Sequence, residues 1–426
     1  MSFRIQKLLA RQVLDSRGNP TLEVEAQLEG GARAAAMTPS GASTGSHEAV
    51  ELRDGAGGGY GGLSVRRAVH HVNSELAAAL AGWDARDQAG LDRRMIELDG
   101  TSDKRRLGAN AILGVSLAVA RASAATAGLP LWKYLAGERR AAIPLPMINI
   151  LSGGLHAGGN IEFQDFLVVP HGFSTFSGAL EAAVTIHRRA ERLLREAGHR
   201  LTGVAEEGGL GPWLPTNRAA MDLVSRAVEQ AGWESPGQVS IAVDVAATHF
   251  YDRGLYRLRT ENRDLAAGEM IDMLAEWRQH PALVSIEDPL AEDDWEAWRK
   301  LTARVGPSCL LVGDDLFATN LQRLERGIGE GVANAVLVKM NQAGTLTETF
   351  QVIDRARQAG YAAVISARSG ETEDSFLADL AVASGAGMIK VGSITRSERL
   401  AKYNRILQIE ESGEAAPFVG RRPLPG

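Results

Sequence analysis

The residues best suited to chemistry in this sequence lie at or just after the ends of short apolar runs in its second half. One ionisable residue follows each of six such runs, and the six are Asp244, Glu287, Asp314, Lys339, Arg368 and Lys390. Three carboxylates in one space would repel one another unless a cation lay between them. Oxygen donors without cysteine or histidine favour a hard ion, Mg²⁺ rather than Zn²⁺. Two lysines and an arginine beside such an ion would bind an anion, so the pattern predicts metal-assisted chemistry on a phosphate or carboxylate.

The elements that must position these residues follow from the composition and spacing of the runs. Each run is short and rich in valine, isoleucine and leucine, which is typical of a strand buried on both faces of a parallel sheet. Positions 287, 314, 339, 368 and 390 lie 22 to 29 residues apart, which is enough for one strand and one helix each. Repeated units of this kind predict a closed, parallel β/α barrel. The carboxyl ends of its strands share one face, so we expect the six residues to converge there.

Lys339 has two interpretations at the end of its strand. Its side chain can simply extend to water, as lysines at strand ends often do. If it is desolvated instead, its pKa falls towards that of a usable base. The recurrence of ionisable residues at the other strand ends favours the second interpretation, so we expect a lysine base with a lowered pKa.

Composition narrows the class of protein. A chain of 426 residues has material for two domains, and its net charge of −6 does not favour nucleic-acid or membrane partners. The single cysteine, Cys309, lies in a predicted strand, where we expect a small core residue. The sequence does not open on an apolar signal core, and its most apolar stretch, 111–120, is closed by Arg121. We therefore expect a cytoplasmic protein.

The first part of the chain predicts a smaller α+β domain. Residues 12–14 and 21–25 flank turn residues and alternate in polarity, which predicts an antiparallel hairpin, with a third strand over 32–37. A loop of small residues, 39–45, follows, and residues 65–127 have a mostly helical pattern. Charged residues and prolines after position 137 indicate a boundary. We predict an amino-terminal α+β capping domain over 1–137 and a catalytic barrel over 138–426.

Motifs at the predicted strand ends resemble those of one family. The sequences VSIEDPL at 284–290, GDDLF at 313–317 and RSGETED at 368–374 closely resemble enolases, and the resemblance extends over nearly the whole chain. It implies an α/β fold, an enolase-like β/α barrel with an α+β amino-terminal domain. It also implies removal of the C2 proton of 2-phospho-D-glycerate, an enolate intermediate and a phosphoenolpyruvate product. Two Mg²⁺ ions, the second dependent on substrate, and a homodimer or larger homo-oligomer complete the expectation.

The same resemblance assigns roles to individual residues. It implies that the first Mg²⁺ is bound by Asp244, Glu287 and Asp314, and the second by Ser43 in the loop 39–45. The implied catalytic residues are Lys339 as base, Lys390 beside the enolate, Glu207 assisting departure of the hydroxyl, and Asp165 at the position of a family glutamate. The implied contacts to the substrate, a small phosphorylated carboxylic acid, come from His156, Gln164, Arg368, Ser369 and Lys390.

Four positions depart from the family pattern. Ala367 stands in place of a histidine, Asp165 of a glutamate, Glu206 of an aspartate and Leu210 of a phenylalanine. We expect these departures on the side of the site where hydroxide leaves, because the residues for proton removal are intact. Losing one general acid typically costs about 10²- to 10⁴-fold in rate. The C2 proton should then exchange with solvent faster than phosphoenolpyruvate forms.

Two alternatives stay open at this point. One is an enolase paralogue of phosphonate natural-product biosynthesis, a carboxyphosphonoenolpyruvate synthase, because the loss of an imidazole at Ala367 makes room for a larger reaction partner. The other is a non-catalytic binding protein on an enolase scaffold. The intact set of Lys339, Asp244, Glu287 and Asp314 argues against the second alternative.

Overall fold

A computed structural model describes residues 2–41 and 47–425 of the chain. The strands are β1 Ile5–Leu14, β2 Pro20–Leu28, β3 Arg33–Met37, β4 Leu145–Ser152, β5 Asp165–Pro170, β6 Val239–Asp244, β7 Tyr251–Asp252, β8 Leu255–Leu258, β9 Arg263–Leu265, β10 Leu283–Glu287, β11 Leu310–Gly313, β12 Ala335–Val338, β13 Ala362–Ser366 and β14 Gly387–Gly392. The α-helices are α1 Arg66–His71, α2 Ala77–Leu80, α3 Gln88–Asp99, α4 Ala109–Ala127, α5 Leu131–Ala136, α6 Phe176–Glu196, α7 Asn217–Gln230, α8 Ala267–Trp277, α9 Trp295–Val305, α10 Leu321–Glu330, α11 Met340–Ala343, α12 Leu346–Gln358, α13 Phe376–Ser384 and α14 Ser397–Ser412.

The first third of the chain forms a three-stranded antiparallel sheet covered by helices. Strands β1 and β2 pair as the predicted hairpin, with Gln12 opposite Leu22, and β3 adds to the other edge of β2. Helix α4 packs on β2 and β3. By length and composition α4 is able to cross a membrane, and 89% of its apolar stretch is buried inside the protein. These elements confirm the predicted α+β arrangement.

The rest of the chain is built around a closed barrel of eight strands. Their order around the barrel is β10, β11, β12, β13, β14, β4, β5 and β6. Side chains on these strands are buried almost throughout, which explains the apolar runs in the sequence. Cys309 is fully buried just before β11, in the core as predicted. The predicted boundary between 137 and 138 lies in the connection from α5 to β4 and stays a prediction.

One strand of the barrel runs against the others, so the prediction of an all-parallel barrel is wrong at this point. Strand β5 pairs antiparallel with both β4 and β6, whereas the remaining neighbours pair in parallel. Its amino-terminal end therefore lies at the same rim as the carboxyl ends of the other strands. This reversal brings Gln164 and Asp165, at the start of β5, into the group of strand ends.

The amino-terminal sheet contacts the barrel beside that rim. Ser40 and Gly370 exchange two backbone hydrogen bonds, with N···O distances of 2.7 and 2.9 Å. A Cβ at position 370 would lie 2.6 Å from the Ser40 carbonyl oxygen and 2.5 Å from a carboxylate oxygen of Asp15. Only glycine therefore allows this close approach of the two backbones. The contact fixes the chain on the amino-terminal side of residues 42–46 next to the barrel.

Candidate active site

The strand ends surround one cavity at the rim of the barrel. Its walls include every predicted site residue that lies in the described parts of the chain, namely His156, Gln164, Asp165, Glu207, Asp244, Glu287, Asp314, Lys339, Arg368, Ser369 and Lys390. Ser43, the predicted ligand of a second ion, lies outside the described residues. The convergence expected from the spacing of the apolar runs is therefore confirmed. The roles of the individual residues stay predictions.

Lys390 lies between two of the predicted metal ligands. Its ammonium group donates to Asp244 Oδ2 at 2.8 Å and to both Glu287 oxygens at 2.7 and 2.8 Å. Burial and the charge of Asp244 raise the pKa of Glu287 well above its usual range. Burial alone would lower the pKa of Lys390, but Asp244 and Glu287 outweigh it and raise that pKa. Asp244 and Glu287 thus share one positive charge, that of Lys390. A metal ion bound by the same two carboxylates would also offset their negative charge.

Lys339 pairs with the third predicted ligand, and this contact opposes the effect of burial on its pKa. Its Nζ donates to Asp314 Oδ2 in a short hydrogen bond. Burial is the largest single influence and favours the neutral amine, but the charges of Asp314, Asp315 and Glu287 together outweigh it, so the pKa of Lys339 is raised. Lys339 is therefore an ammonium in this arrangement. A cation bound by Asp314 would lower that pKa towards the range of a usable base.

The donor atoms fit a hard metal ion, although not in the grouping that the sequence predicted. Within the described residues, two sets of donors lie within 4.8 Å of one another: His156 with Asp165 and Glu207, and Asp288 with Asp314 and Asp315. Asp244 and Glu287 do not complete a compact set with Asp314, because their oxygens contact Lys390. All three nevertheless line the same cavity and offer only carboxylate oxygens, which suit Mg²⁺.

Arg368 forms a buried ion pair that sequence reasoning missed. Its Nη1 lies 3.0 Å from Oε2 of Glu48, which belongs to the amino-terminal part of the chain, and both side chains are 5% exposed. Gln342 donates from one amide nitrogen to Glu48 at 3.1 Å and to Asp314 at 3.3 Å. Glu48 and Arg368 are 320 positions apart, so no local pattern signals their contact. The pair joins the amino-terminal part to the predicted anion-binding residue.

A second polar group lies on the opposite wall of the cavity. His156, in the 3₁₀ turn Gly154–Ala157, places its Nδ1 3.8 Å from Asp165 Oδ2 and 4.0 Å from Glu207 Oε1. Burial alone would lower the pKa of His156, but these two carboxylates raise it to about 9. An imidazolium between two carboxylates is therefore the stable form near neutral pH. This arrangement can hold a proton close to a bound substrate.

The four departures from the family pattern do not all line the cavity. Ala367 and Asp165 line the cavity, as expected. Leu210 is buried in the core instead, and Glu206 is not among the residues that line the cavity. The Glu206 backbone N nevertheless donates to the His156 carbonyl at 3.3 Å. Whether the four departures affect loss of the hydroxyl stays a prediction.

The barrel and its cavity define a β/α-barrel enzyme with a site for a cation and an anionic substrate. Two family models match the chain, "Enolase, N-terminal domain" over residues 5–135 and "Enolase, C-terminal TIM barrel domain" over residues 140–424. A curated relative from Rubrobacter xylanophilus, named Enolase, is 54% identical over 411 residues, which cover 96% of this chain and 95% of the relative. The chain belongs to the enolase family.

Membership of this family makes the chain a carbon–oxygen lyase of the enolase type, as the motifs predicted. Enolases use Mg²⁺, and the acidic groups around the cavity are able to hold such an ion. The comparisons do not favour a paralogue of phosphonate biosynthesis or a non-catalytic binding protein.

Proposed function

We propose that this chain catalyses the Mg²⁺-dependent dehydration of 2-phospho-D-glycerate to phosphoenolpyruvate. The observation that carries the proposal is a single cavity that combines the three predicted metal-binding carboxylates with two lysines and an arginine at the rim of an enolase-family barrel. The carboxylates suit a hard cation, and the basic side chains suit a phosphorylated carboxylic acid.

Removal of the C2 proton is assigned to Lys339. The proton passes from C2 to the Lys339 amine, and the electron pair of the C–H bond moves into the substrate carboxylate to give an enolate. Lys390, at the same rim, adds a positive charge where this negative charge develops. Arg368, Ser369 and Gln164 line the cavity and supply polar contacts for the phosphate and the rest of the substrate.

Loss of the C3 hydroxyl is assigned to the opposite wall. The enolate electron pair forms the C2–C3 double bond as the C3–O bond breaks. The departing hydroxide takes a proton from the group formed by His156, Asp165 and Glu207 and leaves as water. The two steps thus use different walls of the cavity, with the base on β12 and the proton donor beside β4 and β5.

Asp244, Glu287 and Asp314 are the residues that would hold the first Mg²⁺. Ser43, outside the described residues, would contribute to a second Mg²⁺ bound with substrate. When bound, the ions supply Lewis-acid stabilisation of the carboxylate on which the enolate charge develops.

The direct test is an incubation of the purified protein with 2-phospho-D-glycerate and Mg²⁺ in D₂O. Proton and phosphorus NMR follow C2 exchange and phosphoenolpyruvate formation in the same sample. Wild-type protein should form phosphoenolpyruvate, and Lys339→Met should lose both exchange and dehydration. Absence of both reactions in the wild type would contradict the proposal. A Lys339→Met variant that still exchanges the C2 proton would contradict the assigned base.

We further propose the domain division at 137/138, a cytoplasmic location and a homodimer or larger homo-oligomer. These follow from the family and from the composition of the chain rather than from the site. Separate expression of residues 138–426 and sedimentation analysis of the full chain test the first and the last of these.

A further inference from the structure

We propose that Asn149 and Ser152, two buried side chains of β4, are positioning residues for the step in which hydroxide leaves. Through their hydrogen bonds they fix Asp165 so that one of its oxygens faces His156 and Glu207. The inference rests on the proposed function, because it assigns that group of three to loss of the C3 hydroxyl.

Both side chains of this pair donate a hydrogen bond to the same carboxylate oxygen of Asp165. Asn149 Nδ2 donates to Asp165 Oδ1 in a short hydrogen bond and to Ser152 Oγ at 2.8 Å. The Ser152 hydroxyl in turn donates to Asp165 Oδ1 at 3.1 Å. Ser152 and Asp165 face each other in the pairing of β4 with β5. Both amide hydrogens of Asn149 and the one hydroxyl hydrogen of Ser152 are thereby used. The Asp165 carboxylate cannot rotate without breaking the two hydrogen bonds to Oδ1.

The other oxygen of Asp165 is left for the cavity. Oδ2 is buried and accepts no hydrogen bond from the described residues, and His156 Nδ1, which lies 3.8 Å away, donates none to them. A buried carboxylate oxygen without a partner is costly. Its position is therefore imposed by the two donors on Oδ1. This gives Asp165 a defined orientation towards the imidazole instead of several rotamers.

The segment that carries Glu207 packs directly on Asn149 and Ser152. A Cβ at Gly209 would lie 2.5 Å from Ser152 Oγ and 2.9 Å from Asn149 Nδ2, so only glycine lets the backbone close over them. Ser152 N donates to the Leu210 carbonyl at 2.8 Å, and Leu210 N donates to the Ile150 carbonyl at 2.9 Å. Asn149 and Ser152 thus underlie both carboxylates that face His156.

Loss of these two side chains should affect dehydration and not C2 exchange. Displacing a reacting group by about 1 Å typically costs on the order of 10²-fold in rate. Asn149 and Ser152 contact the wall assigned to hydroxide loss, whereas Lys339 extends from the end of β12. Their removal should slow dehydration and leave C2 exchange close to the wild-type rate. A merely structural role would slow both reactions together.

The test uses Ser152→Ala as the mild variant and Asn149→Ala as the severe one. Ser285→Ala is the matched control, because Ser285 is also a buried serine of a barrel strand but its hydroxyl has no hydrogen-bond partner among the described residues. Each full-length protein, with Mg²⁺ and 2-phospho-D-glycerate in D₂O, gives a rate of C2 exchange and a rate of dehydration.

We expect Ser152→Ala to raise the ratio of exchange to dehydration about 10-fold and Asn149→Ala about 100-fold. Ser285→Ala should leave the ratio unchanged. If Asn149→Ala does not fold, Ser152→Ala alone decides. A ratio equal to that of the wild type in Ser152→Ala would overturn the inference while the proposed function stands. A wild-type protein that performs neither reaction would instead overturn the proposed function and the inference with it.

Discussion

Replacement of Glu48 by glutamine tests how much the buried ion pair between the amino-terminal part of the chain and the barrel stabilises the folded protein. The substitution keeps the shape of the side chain and removes its charge. Arg368, 5% exposed, then loses the carboxylate that lies 3.0 Å from its guanidinium group. The new amide must also turn an N–H towards either Arg368 or Gln342, both of which are donors here. Both effects destabilise the folded protein.

The loss of stability can be estimated from the burial of the Glu48–Arg368 pair. Breaking a buried ion pair by removing one partner costs about 3–5 kcal/mol. An unfolding entropy of about 2.1 cal/mol/K per residue gives roughly 0.9 kcal/mol/K for a chain of this length unfolding as one unit. The melting temperature should therefore fall by about 3–6 °C. The matched control is Glu325→Gln in the exposed pair Arg355–Glu325, which should leave the melting temperature almost unchanged because solvent screens that pair.

The same variant makes a second prediction through ligand binding. Without the Glu48 charge, the Arg368 guanidinium attracts anions more strongly, so inorganic phosphate should raise the melting temperature of Glu48→Gln more than that of the wild type. Differential scanning calorimetry with and without phosphate measures both effects. A melting temperature within about 1 °C of the wild type, together with an equal response to phosphate, would refute the reasoning.

Other substitutions test the rest of the site. Glu287→Ala or Asp314→Ala should abolish dehydration and weaken Mg²⁺ binding in calorimetric titration, and full activity with unchanged metal dependence would exclude the assigned site. Ser43→Ala should weaken the second Mg²⁺ more than the first, so equal losses would count against its role. Two carboxylates outweigh burial and raise the pKa of His156 to about 9, above its unfolded value near 6.5. Its ion pairs therefore contribute fully to the free energy of unfolding below about pH 6.5, and the contribution is lost as pH rises through about 9. His156→Gln should remove that dependence in urea unfolding across this range, and an unchanged pH profile would contradict it. Ala367→His restores an imidazole to the cavity wall and should raise dehydration relative to C2 exchange, whereas an unchanged ratio would show that Ala367 does not limit hydroxide loss.

Six of the residues that meet at the rim of the barrel were predictable from local patterns in the sequence. Short apolar runs, each followed by an ionisable residue, are local patterns, and strand burial on both faces produces them directly. The positions of Glu287, Asp314 and Lys339 were therefore predictable from spacing alone, and the motifs around them identified the family. The amino-terminal hairpin was predictable for the same reason, because its turn residues and alternation are adjacent in the chain.

The direction of β5, the partners of Arg368 and Asp165, and the pKa of Lys339 follow only from the folded chain. The direction of β5 depends on how β4 and β6 pack against it, and its apolar composition is the same in either direction. The pairing of Glu48 with Arg368 joins side chains 320 positions apart, which meet only when the amino-terminal part of the chain packs on the barrel. Asn149 meets Asp165 through the register of β4 with β5, which the apolar sequence of the two strands does not specify. The pKa of Lys339 rises because Asp314 lies in direct contact with it, and a sequence carries no distances from which to weigh that charge against burial.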